Sequence, residues 1–297
     1  MQVVLTIVAP DFDVLQEALP LALEAVAGAG CAVKDTNILG AGAADLYVEH
    51  DDPTIIRARA EDMLERMPVD LCAQPVAHRK KRLLVADMDS TIIGCECLDE
   101  LADFAGIRRE VAAITERAMR GEVEFDQALR ERVAMLAGLP LDDLQRCFDE
   151  RVRLNPGART LAATMVAEGA RAVLVSGGFD FFTARVAHAA GFQAHWSNRL
   201  IDDGEVLTGR VAEPILGREA KLATLKAEAA GAGVNMADTL AVGDGANDLP
   251  MIQAAGLGVA YHAKPILAGQ ADARLEKTDL TALLYFQGYG QDRFVTG

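Results

Sequence analysis

The pattern of apolar and polar positions changes character once along the chain. Up to about residue 75 it is short-period and mixed: a strand-like run at 3–8 and a helix-spaced segment at 12–27 come first. Two strand-like runs, 32–39 and 44–49, flank Gly40-Ala41-Gly42, and a second helical segment at 52–66 leads to a short strand at 69–72. The order βαββαβ predicts a ferredoxin-like α+β unit over residues 1–75.

From Leu83 onward the apolar runs are continuous instead. They fall at 83–86, 172–175, 239–242, 257–260 and, more weakly, 271–275, and helical segments separate them. Continuous hydrophobicity alternating with helices predicts a parallel sheet covered on both faces, with function at the carboxyl ends of its strands. The helical stretch from 98 to about 166 is too long for one crossover, so an inserted helical cap is expected over about 97–155 of a second unit spanning 83–297. Residues 198–209 read as a hairpin around Asp203-Gly204, an embellishment of that unit. Between the units, residues 76–82 are basic and follow Pro75. They read as a solvated linker, because the remainder of the chain is acidic. Tyr285-Phe286-Gln287-Gly288 is taken as native tail.

The 297 residues, 51% hydrophobic, leave room for two cores. A net charge of −15 argues against a nucleic-acid partner and against an anionic membrane surface, so an anionic substrate needs a local positive site. No basic leader opens the chain and no apolar stretch is long enough to span a bilayer. Five cysteines without a paired CxxC framework suggest free thiols, hence a cytoplasmic location.

Candidate chemistry gathers where the strands end. Asp87-Met88-Asp89-Ser90-Thr91 places two carboxylates two residues apart, on one face if the strand geometry persists. One could act as nucleophile while its neighbour, holding a proton for part of the cycle, serves as acid and then base; turn and N-cap roles explain the same residue types. Ser176-Gly177-Gly178 could cradle a phosphate with backbone N–H groups or simply turn the chain. Lys221 is either a phosphate-neutralising charge or a solvated helix lysine. Gly243-Asp244-Gly245-Ala246-Asn247-Asp248 offers hard oxygen donors suited to Mg²⁺, without the spacing of a calcium loop. On the helix 125–136, Phe125, Leu129 and Leu136 form a stripe that includes Arg132, whereas Arg130 lies outside it and reads as solvated. Arg132 could snorkel or pair structurally, or fork onto a substrate carboxylate. Glu96 suits a helix N-terminus, and Cys95 and Cys97 beside it read as packing residues.

These four ordered motifs, with Ala263-Lys264-Pro265, resemble those of the haloacid dehalogenase superfamily and, within it, the phosphoserine phosphatase family. The resemblance covers roughly 83–284. It implies a Rossmannoid parallel sheet with a helical cap and Mg²⁺-dependent hydrolysis of O-phosphoserine through an aspartyl-phosphate. Asp87 would be the nucleophile and Asp89 the acid and base. Mg²⁺ would lie between the Asp87 carboxylate, the Asp89 main-chain carbonyl and Asp244, and Ser176, Gly177 and Lys221 would hold the phosphoryl oxygens. Asn247, counted with the phosphate-binding groups, and Asp248 would complete the metal surroundings and orient Lys221. Arg132 would take the substrate carboxylate and Glu96 its ammonium, with Met119 and Phe125 closing over the ligand. A phosphotransferase of the same superfamily and an amino-acid sensor with a degenerate catalytic part are the alternatives, although the intact Asp87, Asp89, Lys221 and Asp244 speak against degeneracy. The N-terminal unit resembles ACT-type domains in element order, which suggests an amino-acid effector or a homodimer contact.

Overall fold

Strict alternation along Gln2–Val8 (β1) gives its strand two different faces: Val3, Leu5 and Ile7 point to one, Val4, Thr6 and Val8 to the other. The structure is a computed structural model and describes residues 1–119 and 122–296. β1 is followed by Phe12–Gly28 (α1), Val33–Gly40 (β2), Ala43–Glu49 (β3), Pro53–Met63 (α2) and Asp70–Pro75 (β4). Asp11 and Asp52 cap the two helices by accepting from Val14 N and Thr54 N. The strands form an antiparallel sheet in the order β2-β3-β1-β4, and α1 and α2 cover its Val3–Leu5–Ile7 face.

The second unit begins at Leu83–Asp87 (β5), every residue of which is buried. Among the described residues the helices Cys97–Phe104 (α3), Arg108–Met119 (α4), Phe125–Ala134 (α5) and Leu141–Arg151 (α6) follow before Ala158–Ala167 (α7) returns to the body. Arg171–Phe179 (β6), Asp180–Ala190 (α8), Ala194–Asn198 (β7), Leu200–Asp202 (β8) and Leu207–Val211 (β9) come next. Arg218–Ala232 (α9), Thr239–Gly243 (β10), Leu249–Ala254 (α10), Leu257–Tyr261 (β11), Pro265–Ala268 (α11), Ala273–Leu275 (β12) and Ala282–Phe286 (α12) complete the order. The main sheet runs β12-β11-β10-β5-β6-β7, with every pair parallel. β5 therefore sits between β10 and β6, and the carboxyl ends of these three strands deliver Asp87, Asp244 and Ser176 to one edge. Among the described residues no helix is long and apolar enough to cross a membrane.

Three expectations from sequence need correction. β7 has no continuous apolar run: it is the sheet's outer strand, and its Trp196 remains half exposed. The β8–β9 hairpin is more than an embellishment, because it clasps the cap: Leu207 N donates to Leu139 O and Gly138 N to Leu207 O at 2.9 and 2.8 Å. Finally, residues 76–82 are not uniformly solvated. Arg79 is buried and donates to both oxygens of Asp45 (2.6 and 2.8 Å), to Thr6 Oγ1 and to the carbonyls of Tyr285 and Phe286. Lys81 is buried too, its Nζ donating to Ala237 O at 2.8 Å.

Arg79 sits where the two units meet. Val8, Leu39 and Ala43 from the second face of the N-terminal sheet share a core with Tyr285, Phe286 and Tyr289. Asp70 adds a polar clamp, accepting from Glu276 N, Lys277 N, Thr278 N and Thr278 Oγ1. Residues 285–287 are thus buried structure.

Candidate active site

β5 stays extended through Asp87 and then breaks. Ser90 takes φ +56°, a left-handed conformation costly for a residue with a Cβ. The turn brings Asp89 back beside Asp87, and both line a cavity of about 300 Å³ between the sheet edge and the cap. Asp89 is held on both oxygens: Oδ1 accepts from Cys97 N and Oδ2 from Ser176 Oγ, each at 2.9 Å. Gly178 N donates in turn to Ser176 Oγ at 2.8 Å. A Cβ on Gly178 would stand 3.0 Å from both Asp89 Oδ2 and Ser176 Oγ, so a side chain here would push these two groups back by a few tenths of an ångström.

On the opposite side Lys221 enters from α9. Its Nζ lies 2.6 Å from Asp87 Oδ1 and 2.6 Å from Asp248 Oδ1, with all three side chains buried. Burial alone would depress the lysine, but Asp248 and Asp87 more than reverse that and hold its pKa raised. Burial raises Asp87 well above the usual carboxylate range, with Asp248 adding to it, and burial raises Asp89 also. Carboxylate oxygens of Asp87, Asp244 and Asp248 all fall within 4.8 Å of one another. Asp244 too is raised, by burial and by Asp248.

Hard oxygen donors at this spacing fit a small divalent cation such as Mg²⁺, whose opposite ligands lie roughly 4 Å apart. The charge balance asks for one as well. Among the described residues the carboxyl groups of Asp87, Asp89, Asp244 and Asp248 face one buried ammonium, that of Lys221, and a cation would offset the negative charge it leaves uncompensated. In the cluster Asp248 takes the third side-chain place, whereas the Asp89 carboxylate is turned to Ser176 and Cys97.

The cap lines the rest of the cavity. Arg132 lies half-buried, with Nε donating to Ala128 O and Nη1 to Thr115 Oγ1 at 3.2 and 3.4 Å. Among the described residues it has no carboxylate within ion-pair distance, and burial lowers its pKa. Glu96 accepts from Ser90 Oγ at 2.7 Å. Though open to the cavity, its carboxyl is pushed up to about 7, first by partial desolvation and then by Asp89. Phe125 lies against Gly177 and Gly217, and Asn247 lines the mouth beside Gly245. Arg130 is not merely solvated: it pairs with Glu213 at 2.7 Å on the surface. The side chain of Met119 lies outside the described residues. Thr115 and Asp99 also line the cavity. Their sequence surroundings carry no motif, and only their position across from Arg132 in the folded cap reveals them.

The cavity therefore gathers Asp87, Asp89, Glu96, Arg132, Ser176, Gly177, Lys221, Asp244 and Asn247 in one place. The model of the haloacid dehalogenase-like hydrolases matches residues 84–253. A phosphoserine phosphatase from Archaeoglobus fulgidus is 41% identical over 78% of this chain and 68% of its own length. The chain belongs to the phosphoserine phosphatase family of haloacid dehalogenase-like hydrolases. A solved phosphoserine phosphatase described as a phospho-aspartyl intermediate analogue is 40% identical, covering 70% of this chain and 99% of that one with a TM-score of 0.64. A solved structure described as a HAD family hydrolase, from Salmonella enterica subsp. enterica serovar Typhi, matches 96% of this chain and 98% of its own, at 29% identity and a TM-score of 0.82. The family's catalytic body thus recurs here together with the N-terminal unit.

Proposed function

We propose that this protein is a Mg²⁺-dependent phosphatase that hydrolyses O-phosphoserine, the last step of serine formation, through an aspartyl-phosphate on Asp87. The observation that carries the reading is the sorting of charge within one cavity: Asp87, Lys221 and the Asp244 cluster at the sheet edge, and on the cap side Glu96 with Arg132, which has no carboxylate within ion-pair distance among the described residues. A phosphate monoester with a carboxylate and an ammonium matches that division. The solved relative with a phospho-aspartyl analogue supports the covalent route.

Lys221, Ser176 Oγ and the backbone N–H groups of the Ser-Gly-Gly loop bind phosphoryl oxygens, and Arg132 orients the carboxylate as a fork. An Asp87 carboxylate oxygen attacks phosphorus, the bond from phosphorus to the serine oxygen breaks, and Asp89 gives its proton to that oxygen. Burial raises the Asp89 pKa, the direction that an acid role calls for. Asp89, now a carboxylate, takes a proton from water as the water oxygen bonds to phosphorus and the Asp87–phosphorus bond breaks. Phosphate leaves and both carboxyls are restored. Mg²⁺, held by Asp87, Asp244 and the Asp89 main-chain carbonyl, would offset the charge on the phosphoryl oxygens.

The N-terminal unit over 1–75 is read as an ACT-like module that takes an amino-acid effector or a second copy, with residues 76–82 joining it to the catalytic body; the free cysteines accord with a reducing cytoplasm. Phosphate release from phosphoserine, phosphothreonine and sugar phosphates, each with Mg²⁺, tests the substrate. Preference for a sugar phosphate would overturn it.

A further inference from the structure

We infer that Asn198 is a positioning residue for phosphoryl transfer, holding the Ser-Gly-Gly loop and the approach to Lys221 in a single register. This rests on the phosphatase reading above. The starting point is a break in the sheet. β6 and β7 pair regularly up to Val175 and Trp196, and their next pair is Phe179 with Asn198. Residues 176–178 on β6 therefore face only Ser197, and the loop bulges out of the ladder toward the cavity.

A bulge leaves backbone groups without ladder partners, and a buried carbonyl left bare is costly. The Asn198 side chain supplies the missing partner: Nδ2 donates to Gly177 O at 2.8 Å. Asn198 is only 2% exposed and is absent from the residues lining the cavity, so it reaches the loop from behind. The peptide between Gly177 and Gly178 is planar, so fixing its carbonyl also fixes the Gly178 N–H on its far edge. That N–H is the one that meets Ser176 Oγ, which in turn donates to Asp89 Oδ2. A single amide thus sets the loop, the serine hydroxyl and the acid.

Its other contacts run to the lysine. Asn198 Oδ1 accepts from Leu216 N at 2.7 Å, and Nδ2 also donates to Leu216 O at 3.2 Å. Leu216 stands two residues before α9, whose fourth residue is Lys221. The segment from 198 to 216, which contains the cap-clasping hairpin, is consequently closed at its base by this one side chain. Only an amide offers a donor and an acceptor on one planar group in this arrangement. An aspartate of the same shape would keep the bond from Leu216 N but set an oxygen against two carbonyl oxygens.

Asn198→Asp and Asn198→Ala, each checked by thermal melting, should be assayed on phosphoserine and on p-nitrophenyl phosphate, with inhibition by inorganic phosphate measured alongside. Losing one or two buried hydrogen bonds that align reacting groups corresponds to a fall of about tenfold or more in kcat. That fall is expected on both substrates, with phosphate inhibition weakened by a similar factor and the KM for phosphoserine changed less than kcat. A lowered melting temperature with kcat and phosphate inhibition within about twofold of the parent in the folded fraction overturns the inference and leaves a scaffold role. A loss confined to phosphoserine overturns it also, since the residue would then act through the cap. The two variants guard each other if one does not fold. A parent enzyme that cleaves p-nitrophenyl phosphate and ignores phosphoserine would overturn the substrate reading while leaving the Asn198 comparison intact.

Discussion

Lys221 and Asp248 form a buried pair at 2.6 Å, and the same Asp248 carboxylate accepts from Gly245 N through its other oxygen. The backbone of the Gly-rich turn and the lysine are thereby fixed relative to one another. A Cβ on Gly243 would stand 2.4 Å from Asp248 Cγ, so the turn admits this carboxylate only because position 243 is glycine. Asp248→Asn would leave the lysine ammonium with one carboxylate in a buried site. Removing one partner of a buried pair costs about 3–5 kcal/mol. Denaturant unfolding should show a loss of that order, and kcat should fall at least about a hundredfold.

Asp87→Asn removes the proposed anionic nucleophile while keeping its shape. Phosphate release from every substrate is expected to disappear while the protein still folds, although the loss of one of the two carboxylates paired with buried Lys221 lowers its stability. Asp89→Asn should be severely impaired on both the acid and base steps. Near-native turnover of a sequence-verified Asp87→Asn protein, checked for deamidation by mass spectrometry, would sink the covalent mechanism.

The oxygen cluster leads to a metal requirement. Dialysis against a chelator should abolish turnover, and Mg²⁺ should restore it while Ca²⁺ does so poorly, since a larger ion with a looser shell disturbs the alignment at Asp87. Full activity in metal-free protein would take Asp244 out of its assigned role.

The catalytic body was legible because its signals are local. Asp87, Ser176 and Asp244 each follow a continuous apolar run, and parallel strands bring such ends together without further information. Lys221 and Arg132 depended on helical spacing together with resemblance. What escaped depends on long-range packing. β7, an outer strand with Trp196 half exposed, carries no continuous apolar signature, and the clasp of the hairpin on the cap joins Leu139 to Leu207 through backbone alone. Arg79 looked solvated because its neighbours in sequence are basic. Its partner Asp45 lies 34 residues away, and the carbonyls of Tyr285 and Phe286 lie more than 200 away.

That buried arginine gives the contact between the units a testable energy. Its guanidinium forks onto Asp45 inside a face shared by β1, β3 and the C-terminal segment. Arg79→Ala or Asp45→Ala alone should destabilise the protein by about 3–5 kcal/mol in denaturant unfolding, because each strands a buried charge. Replacing both should cost less than the two losses added together. Fully additive losses would show that the pair does not act as a unit.

Amino-acid recognition is separable from chemistry at the cap. Arg132→Ala should reduce kcat/KM for phosphoserine by about a hundredfold or more and change p-nitrophenyl phosphate hydrolysis by under about threefold, since that ester has no carboxylate to grip. Glu96 adds a pH signature. Its carboxyl sits near 7 against an ordinary 4.5, raised by desolvation and by Asp89. The folded state therefore holds this proton more tightly than the unfolded chain: the stabilisation is complete below pH 4.5 and is lost as pH rises through about 7 in metal-free protein. Binding of an ammonium needs the opposite, ionised form. For phosphoserine kcat/KM should then fall as the medium is acidified below a midpoint at or under 7, the nearby cation drawing the midpoint down. Glu96→Gln should flatten that limb while lowering the plateau, and p-nitrophenyl phosphate should show no such limb in either protein. An acid limb of equal steepness for both substrates would assign the titration to Asp87 and Asp89 and remove Glu96 from ammonium recognition.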